Sequence, residues 1–267
     1  MSARTQFVLF RVCFGIYLAY FFYSLAPFMS EIFGSQGLYP NRISIPYPNS
    51  LPWVDRTNSY SSLVIVMIGA ALALCAGFHR RVAAGVLLYG LGCLRSWNAL
   101  LCPPSDGYVG WLLLSLVFIP QGEGRGLHRE DAQWELPRPI LVSGLIVFAI
   151  SYTLSGLDKC RGELWLSGNA LEILYSSPLS RIGLLPDVLR SLPPEALKLL
   201  TWASLGTELF CAPLCIFRFG RKLAWSATTV LHLGVLSSVA ITSVSLAMLL
   251  FNLFLIPIIF PNSYRKN

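Results

Sequence analysis

The sequence has few charged residues. Asp, Glu, Lys and Arg make up only 12% of its 267 residues, whereas ordinary soluble domains contain about 25%. Apolar residues make up 55% of the chain, and the mean hydropathy is +0.61. This balance excludes an ordinary water-soluble domain and indicates a protein that crosses a membrane several times.

Residues for metal binding and thiol redox chemistry are also scarce. The chain has three histidines, which is too little material for a metal cluster, so we expect no metal. It has seven cysteines, but no two form the Cys-x-x-Cys pair of a dithiol redox centre. Most of them lie inside apolar segments, where cysteine packs as a small apolar residue. A disulfide between Cys102 and Cys160 remains open, because both fall near the same predicted membrane face.

Signs of nucleic-acid binding and of repeat architecture are absent as well. The net charge of +7 agrees with basic loops that contact lipid headgroups, and aromatic and basic residues are not interleaved as in a nucleic-acid groove. We therefore expect membrane lipid as a partner and no nucleic acid. The first apolar run is too long for a cleavable signal peptide, so we expect it to be a retained span.

Apolar segments near the length needed to cross about 30 Å of hydrocarbon recur along the chain. They cover residues 5–28, 62–78, 82–101, 108–120, 140–155, 196–217, 223–237 and 239–260. Because lipid cannot satisfy backbone N–H and C=O groups, each segment must be helical. The sequence therefore predicts an all-α membrane protein, a polytopic bundle of about eight transmembrane helices forming a single domain over residues 1–267.

The positions of lysine and arginine predict the orientation of this bundle. With the N-terminus inside, the inner segments hold eleven basic residues and the outer segments seven. The inner loops are also shorter, so their positive charge is denser, and both termini are placed inside. Two outer loops, 29–61 and 156–195, then interrupt the helices. Lys159, near the start of the second loop, faces the outside.

Polar residues within the predicted spans are candidates for structural or functional roles. A charged residue in hydrocarbon raises the free energy of membrane insertion by about 2.5–3.5 kcal/mol on insertion scales. The set comprises Arg11, Arg95, Asn98, Glu208, His232 and Asn252. Arg11 is close enough to a helix end to extend its guanidinium to the interface. Glu208 either pairs with an arginine or stays protonated. His232 either satisfies a neighbour's hydrogen bond or takes part in chemistry, so structural and functional roles stay open for both residues.

Lys159 directly follows the apolar segment 140–154. A lysine at a dry helix end can lose its proton near neutral pH, and a neutral amine is a usable general base. Asp158 opposes this if it is ionised, because a nearby negative charge stabilises the ammonium form. The alternative is that Lys159 is an ordinary interfacial residue and Trp165 an interfacial anchor.

Several segments, taken in order along the chain, carry a resemblance to a known family. They are residues 7–15 with Phe10-Arg11, residues 67–77, the basic turn Arg80-Arg81, Ser96-Trp97-Asn98, Tyr108-Val109-Gly110, the run Ser155-Gly156-Leu157-Asp158-Lys159, Trp165-Leu166-Ser167-Gly168, and His232. Together they resemble the HTTM (horizontally transferred transmembrane) family, the membrane domain of vitamin K-dependent gamma-carboxylase. The resemblance spans nearly the whole chain.

In that family the base is the second residue of a lysine pair. Lys159 occupies its position, and Asp158 replaces the first lysine. The resemblance implies that the neutral lysine deprotonates a reduced vitamin K-type quinone, which reacts with dioxygen to give a far stronger base. That base would remove a carbon-bound proton of a glutamate side chain, and carbon dioxide would add there. Candidates for the substrate or quinone pocket are Arg11, Trp97, Asn98, Asp106, Trp165, Glu208 and His232.

Two departures from the family bear on function. The family has a histidine in the outer turn before the fourth helix, where this chain has residues 103–107 with Asp106. The carboxylase also has a further outer domain that holds its protein substrate, and this chain shows no counterpart. Recognition then requires an accessory protein or a smaller peptide.

Two functions follow from these observations. The first is a quinone-dependent, carboxylase-like membrane enzyme that modifies a peptide or protein substrate. The second is a non-catalytic membrane partner for the export or maturation of a secreted peptide or protein. A small-solute carrier is disfavoured, because no pair of Gly- or Pro-broken helices stands in corresponding positions of two halves.

Overall fold

The computed structural model describes residues 2–33, 56–97, 103, 105–124 and 131–261. Helices make up most of these ranges. The only β-type pairing in them is an isolated bridge between Ser180 and Val239. The prediction of an all-α protein is therefore confirmed for the part of the chain that is described. The contacts divide the chain into two compact units, an N-terminal unit (Met1–Pro137) and a C-terminal unit (Arg138–Asn267).

The described helices of the N-terminal unit are α1 (Ala3–Leu25), which continues as a 3-10 turn (Ala26–Phe28), α2 (Met29–Phe33), α3 (Arg56–Ala76), α4 (Arg80–Trp97) and α5 (Asp106–Phe118). Ser2 caps the start of α1, because its hydroxyl accepts the N–H of Thr5 at 3.1 Å. Helix α1 packs along α3, α3 along α4, and α4 along α5. A column of buried phenylalanines on α1 contributes to the core of this unit.

A tight turn joins α3 to α4. Gly77 has a φ of 74°, a left-handed conformation that favours glycine at the end of a helix. The N–H groups of Gly77 and Phe78 donate back to the carbonyls of Leu74 and Ala73 at 3.1 and 2.9 Å. These bonds close the last turn of α3 and place Arg80 at the start of α4.

The helices of the C-terminal unit are α6 (Arg138–Lys159), α7 (Glu163–Leu166), α8 (Ala170–Ser176), α9 (Leu184–Arg190), α10 (Pro194–Leu209), α11 (Cys211–Ile216), α12 (Arg218–Ser238) and α13 (Thr242–Ile259). Helix α6 packs against α10, α11 and α13, and α12 packs against α11 and α13. The short helices α7, α8 and α9 lie within the segment that the sequence predicts as the second outer loop. Because α6 continues to Lys159, that loop begins later than predicted.

Helices cover most of the described residues in all eight predicted segments. By length and composition, three helical stretches among the described residues are long and apolar enough to cross a membrane. They are Ala3–Ile32, which runs from α1 through the 3-10 turn into α2, Arg138–Lys159 (α6) and Thr242–Ile259 (α13). Two further apolar helices, Ser61–Ala76 and Asp106–Phe118, are shorter. Half-exposed apolar side chains such as Ile146, Ile150 and Leu154 follow one side of α6, as expected for a surface that faces lipid. The structure thus supports a membrane protein, and the count of eight crossings and the placement of the termini stay predictions.

The predicted helix 196–217 is wrong in one respect, because it is two helices, α10 and α11, that meet at Phe210. Pro213 has no N–H to donate to the carbonyl of Leu209, four residues earlier. Thr153 of α6 bridges the break: its hydroxyl lies 3.4 Å from that carbonyl and accepts the N–H of Ala212 at 3.0 Å. A side chain of α6 therefore replaces helical hydrogen bonds that α10 and α11 lack.

Candidate functional site

Lys159, the last residue of α6, forms an ion pair with Glu208 of α10 through Nζ and Oε1. The side chain of Lys159 is 25% exposed and that of Glu208 only 6%. The sequence leaves Glu208 either paired with an arginine or protonated, and its ion-pair partner in the structure is this lysine. The predicted base therefore lies beside a carboxylate at a partly open position.

Ser155 and Gly156 complete the contact between α6 and α10 around this pair. The hydroxyl of Ser155 donates to Oε2 of Glu208 at 3.1 Å, so both carboxylate oxygens are held by α6. A β-carbon on Gly156 would lie 2.8 Å from the backbone nitrogen of Leu209, which is too close for any other residue without movement of a helix. The close approach of the two backbones thus depends on a glycine one turn before Lys159.

Trp165 of α7 lies against the same lysine. Nζ of Lys159 is 4.6 Å from the centre of the Trp165 ring, within the range of a cation–π contact. Asp158 forms a separate ion pair with Arg161 at 3.3 Å, and both of these side chains are largely exposed. Lys159 therefore pairs with Glu208 rather than with its chain neighbour Asp158.

His232 of α12 is buried next to Tyr152 of α6. Its Nε2 lies 2.7 Å from the Tyr152 hydroxyl oxygen, and the two residues are 8% and 3% exposed. Among the described residues, Nδ1 of His232 has no hydrogen-bond partner. Tyr152 precedes Lys159 by seven residues, or about two helical turns, so both lie on one face of α6. That face therefore contacts His232 at one level and Glu208 at another.

Two other predicted site residues, Arg11 and Asp106, belong to the N-terminal unit, where each has a charged partner. Arg11 is 2% exposed and pairs with Glu123 at 3.0 Å, so the expectation that it extends to the interface is wrong. Asp106, the first residue of α5, accepts Nε of Arg95 at 3.4 Å.

The remaining predicted pocket residues are Trp97 and Asn98. Trp97 ends α4, and its side chain lies outside the described residues, as does Asn98. The structure therefore brings together Lys159, Trp165 and Glu208 in the C-terminal unit, and it places His232 against another level of the same helix, α6.

The partner of Arg11, Glu123, is itself part of a buried cluster. Oε1 of Glu123 also accepts Nε of Arg80 at 2.8 Å, and Arg80 donates further to the carbonyls of Ile119 and Pro120 at 2.9 and 2.7 Å. A cavity of about 10 Å³ next to these groups has room for one water molecule. These bonds hold the segment that follows α5, which is a structural role.

Two predictions from the sequence concern metal and disulfide chemistry. Within them, no group of three or more His, Cys, Asp or Glu residues is placed to hold a metal ion. Cys160 is a free thiol there, and the other half of the predicted pairing, Cys102, lies outside the described residues.

Tyr152, Thr153 and Ser155 are site residues that sequence reasoning missed. Tyr152 and Ser155 precede Lys159 by seven and four residues, which is the spacing of one helical face, so the signal was present in the sequence. The pairing of Lys159 with Glu208 across 49 positions has no local signal. It depends on how α6 and α10 pack.

The chemistry available to this group of residues is proton transfer. Lys159 and Glu208 share a hydrogen bond, across which a proton can lie on the amine or on the carboxylate. As for Asp158 above, an ionised Glu208 stabilises the ammonium form of Lys159, so the amine can act as a base only once Glu208 carries the proton. Comparison of the chain with protein-family models, curated proteins and solved structures finds no match.

Proposed function

We propose that this protein is an integral membrane enzyme of the HTTM type, in which Lys159 acts as the base toward a reduced vitamin K-type quinone. The product would be a peptide or protein carboxylated at a glutamate side chain. The observation that carries the proposal is the hydrogen bond between Lys159 and Glu208 beside Trp165. This hydrogen bond joins the proposed base, Lys159, to a carboxylate that can accept the proton of its ammonium group.

The roles of the chain's own residues follow from their contacts. Transfer of one proton from Nζ of Lys159 to Oε1 of Glu208 leaves a neutral amine and a neutral carboxylic acid. Ser155, which donates to the other carboxylate oxygen, holds Glu208 in the orientation for this transfer. The amine can then accept a proton from a weakly acidic hydroxyl group, as general base catalysis requires.

The residues around Lys159 fit a reduced quinone, which is a flat apolar ring with two hydroxyl groups. The Trp165 indole offers a flat face next to the amine, and Nδ1 of His232 is a buried polar atom without a partner among the described residues. When bound, the reduced quinone supplies the group that reacts with dioxygen to give the strong base that carboxylation needs. The chain's residues would hold the ring and remove the first proton.

The proposal places the site on the outer or lumenal side of the membrane, following the distribution of basic residues in the sequence. A peptide on that side would reach Lys159 without crossing the bilayer. An accessory protein would present the peptide if the chain itself does not bind it. No metal takes part in this proposal.

Purified protein in lipid nanodiscs tests this function. Mass spectrometry of the bound lipids is expected to find a quinone. With reduced vitamin K and dioxygen, radiolabelled bicarbonate should be incorporated into a glutamate-containing peptide. Lys159→Ala should abolish incorporation, and Arg161→Ala is the matched control because the Arg161 side chain is 84% exposed. Unchanged incorporation by a folded Lys159→Ala protein would overturn the proposal.

A second function follows if the ion pair between Lys159 and Glu208 is a structural contact. The pair fastens α6 to α10 next to the glycine contact with Leu209, and such a role needs no turnover. The protein would then be a non-catalytic membrane partner in the export or maturation of a secreted peptide or protein. The expected result is a co-purifying protein that persists in Lys159→Ala, with no quinone in the lipid extract.

A further inference from the structure

We propose that Nδ1 of His232 hydrogen-bonds a hydroxyl group of the ligand bound at this site, and that Tyr152 is the positioning residue that holds the imidazole for this contact. The inference rests on the proposed function, because it assigns a partner to the second hydroxyl of a reduced quinone, the one that Lys159 does not contact.

The first observation is the unpaired nitrogen itself. Nδ1 of His232 is buried and has no hydrogen-bond partner among the described residues, and the residue as a whole is 8% exposed. Leaving a buried polar atom unpaired costs about 1–3 kcal/mol, and nearly all such atoms in folded proteins have partners. The partner of Nδ1 is therefore a group outside the described residues, and we assign it to the ligand.

The second observation is how the other nitrogen is bound. Nε2 of His232 lies 2.7 Å from the Tyr152 hydroxyl. If Tyr152 donates to Nε2, then Nδ1 carries the proton and donates; if Nε2 donates to Tyr152, then Nδ1 accepts. A hydroxyl group of the ligand suits both tautomers, because it can donate or accept. A carbonyl group suits only one of them, so the contact favours the reduced form of the ring.

The third observation is the position of His232 relative to the lysine. Tyr152, which holds His232, and Lys159 lie on one face of α6, separated along the helix axis by about 10 Å. Glu208, the partner of Lys159, and His232, the partner of Tyr152, therefore contact the same face of α6. A ligand with one hydroxyl at each end of a ring is the class that reaches two such partners. The Lys159 side chain is 25% exposed and His232 is 8% exposed, so the lysine end of this face is the more open one.

Two substitutions separate the two nitrogens of the imidazole. His232→Gln places an amide near the position of Nε2, which keeps a partner for Tyr152 and removes the group at Nδ1. His232→Asn places an amide near the position of Nδ1 and gives up the contact with Tyr152. If His232 only serves to bond Tyr152 through Nε2, Gln is expected to replace it better than Asn. A ligand contact at Nδ1 predicts that Asn is the better one.

The experiment uses the full chain in nanodiscs under argon, with the hydroquinone of phylloquinone as the probe. Bound probe is measured by chromatography of washed nanodiscs, and thermal unfolding is followed on the same samples. We expect His232→Gln to melt near the wild-type temperature but to bind about ten-fold more weakly, which corresponds to the loss of one hydrogen bond. His232→Asn should bind within about three-fold of wild type.

The outcomes distinguish this inference from the function on which it rests. If the wild-type protein does not bind the probe, the proposed function fails. If the wild type binds and His232→Gln binds equally well, the inference fails and the proposed function stands. If His232→Gln does not fold, His232→Asn decides: an upward shift of its unfolding temperature with the probe supports the contact, and no shift overturns it.

Tyr152→Phe tests the positioning role separately. Without its hydroxyl the imidazole can rotate, so the preference of the site for the hydroquinone over the oxidised quinone should fall by about three-fold or more. A merely structural Tyr152 would lower the unfolding temperature and leave that preference unchanged, which would exclude the positioning role.

Discussion

Gly156 of α6 lies directly against the backbone of Leu209 in α10, where an added β-carbon would be 2.8 Å from the Leu209 nitrogen. This contact is next to both ion-pair partners, since Gly156 precedes Lys159 by three residues and Leu209 follows Glu208. The separation of the two helices at this point therefore decides whether Lys159 can reach Glu208 to form their hydrogen bond.

The first prediction is that Gly156→Ala destabilises the protein and disrupts the site. The added methyl group must push α10 away, and overpacking of this kind costs about 1–3 kcal/mol. Thermal unfolding in detergent should show a lower midpoint, and quinone binding should weaken with it. Gly206→Ala on α10 is the control, because a β-carbon there would meet nothing within 4 Å. Equal melting of the two variants would show that the close approach is unimportant.

The second prediction concerns the ion pair. Lys159→Met leaves a carboxylate that is 6% exposed without its charge partner, which costs about 3–5 kcal/mol in buried pairs. Glu208→Gln should lower the free energy of unfolding by less, because the charge of Lys159, whose side chain is 25% exposed, can be solvated by water. The double variant should recover part of the loss, and a double-mutant cycle of unfolding free energies measures the coupling.

The exposed pair of Asp158 and Arg161 provides the comparison for that cycle. Its side chains are 78% and 84% exposed, and pairs of this kind contribute about 0–1 kcal/mol. A coupling for Lys159 and Glu208 no larger than that of the exposed pair would contradict the assignment of a buried, coupled site.

The third prediction is that Thr153→Val weakens the junction of α10 and α11. The variant removes the acceptor of the Ala212 N–H and the hydroxyl near the Leu209 carbonyl. Buried polar groups left without partners cost about 1–3 kcal/mol. Hydrogen exchange measured by mass spectrometry should become faster around residues 208–213.

Thr207→Val is the matched control for this change, because among the described residues the Thr207 hydroxyl bonds only within its own helix, to the carbonyl of Ala203. Exchange at the junction should stay at the wild-type rate in that variant. Faster exchange in both variants would show that the hydrogen bonds of Thr153 are not what stabilises the junction of α10 and α11.

The fourth prediction ranks the two arginines of the N-terminal unit. Arg80→Met should lower the unfolding temperature more than Arg11→Met, because Arg80 bonds Glu123 and also the carbonyls of Ile119 and Pro120. After either change, Glu123 keeps one arginine. Unfolding of both proteins in the same detergent gives the ranking, and a larger loss for Arg11→Met would contradict it.

Much of the helical fold could be predicted from the sequence, because long apolar segments leave the backbone no alternative in lipid. The break at Phe210 was missed although Pro213 marks it, since a proline in an apolar span is compatible with a continuous helix when a neighbouring hydroxyl repairs the bonds. That repair comes from Thr153, nearly sixty positions earlier in the chain.

The site was predictable only in part, for a similar reason. Lys159, Trp165, Glu208 and His232 stood out because each is unusual where it lies in an apolar chain. Their partners Tyr152 and Ser155 did not stand out by residue type, and only their spacing from Lys159 on one helical face marked them. Pairing across helices depends on packing angles and side-chain lengths that local patterns do not contain.

The contact between Trp165 and Lys159 also gives the protein an optical reporter of its own site. Indole emission responds to the electric field of a charge at contact distance, and the ammonium group lies 4.6 Å from the ring centre. Trp165 is one of seven tryptophans, so the difference between the spectra of the wild type and Trp165→Phe isolates its signal. Loss of the proton of Lys159, or movement of its side chain, would then change the wavelength and intensity of Trp165 fluorescence in unlabelled protein.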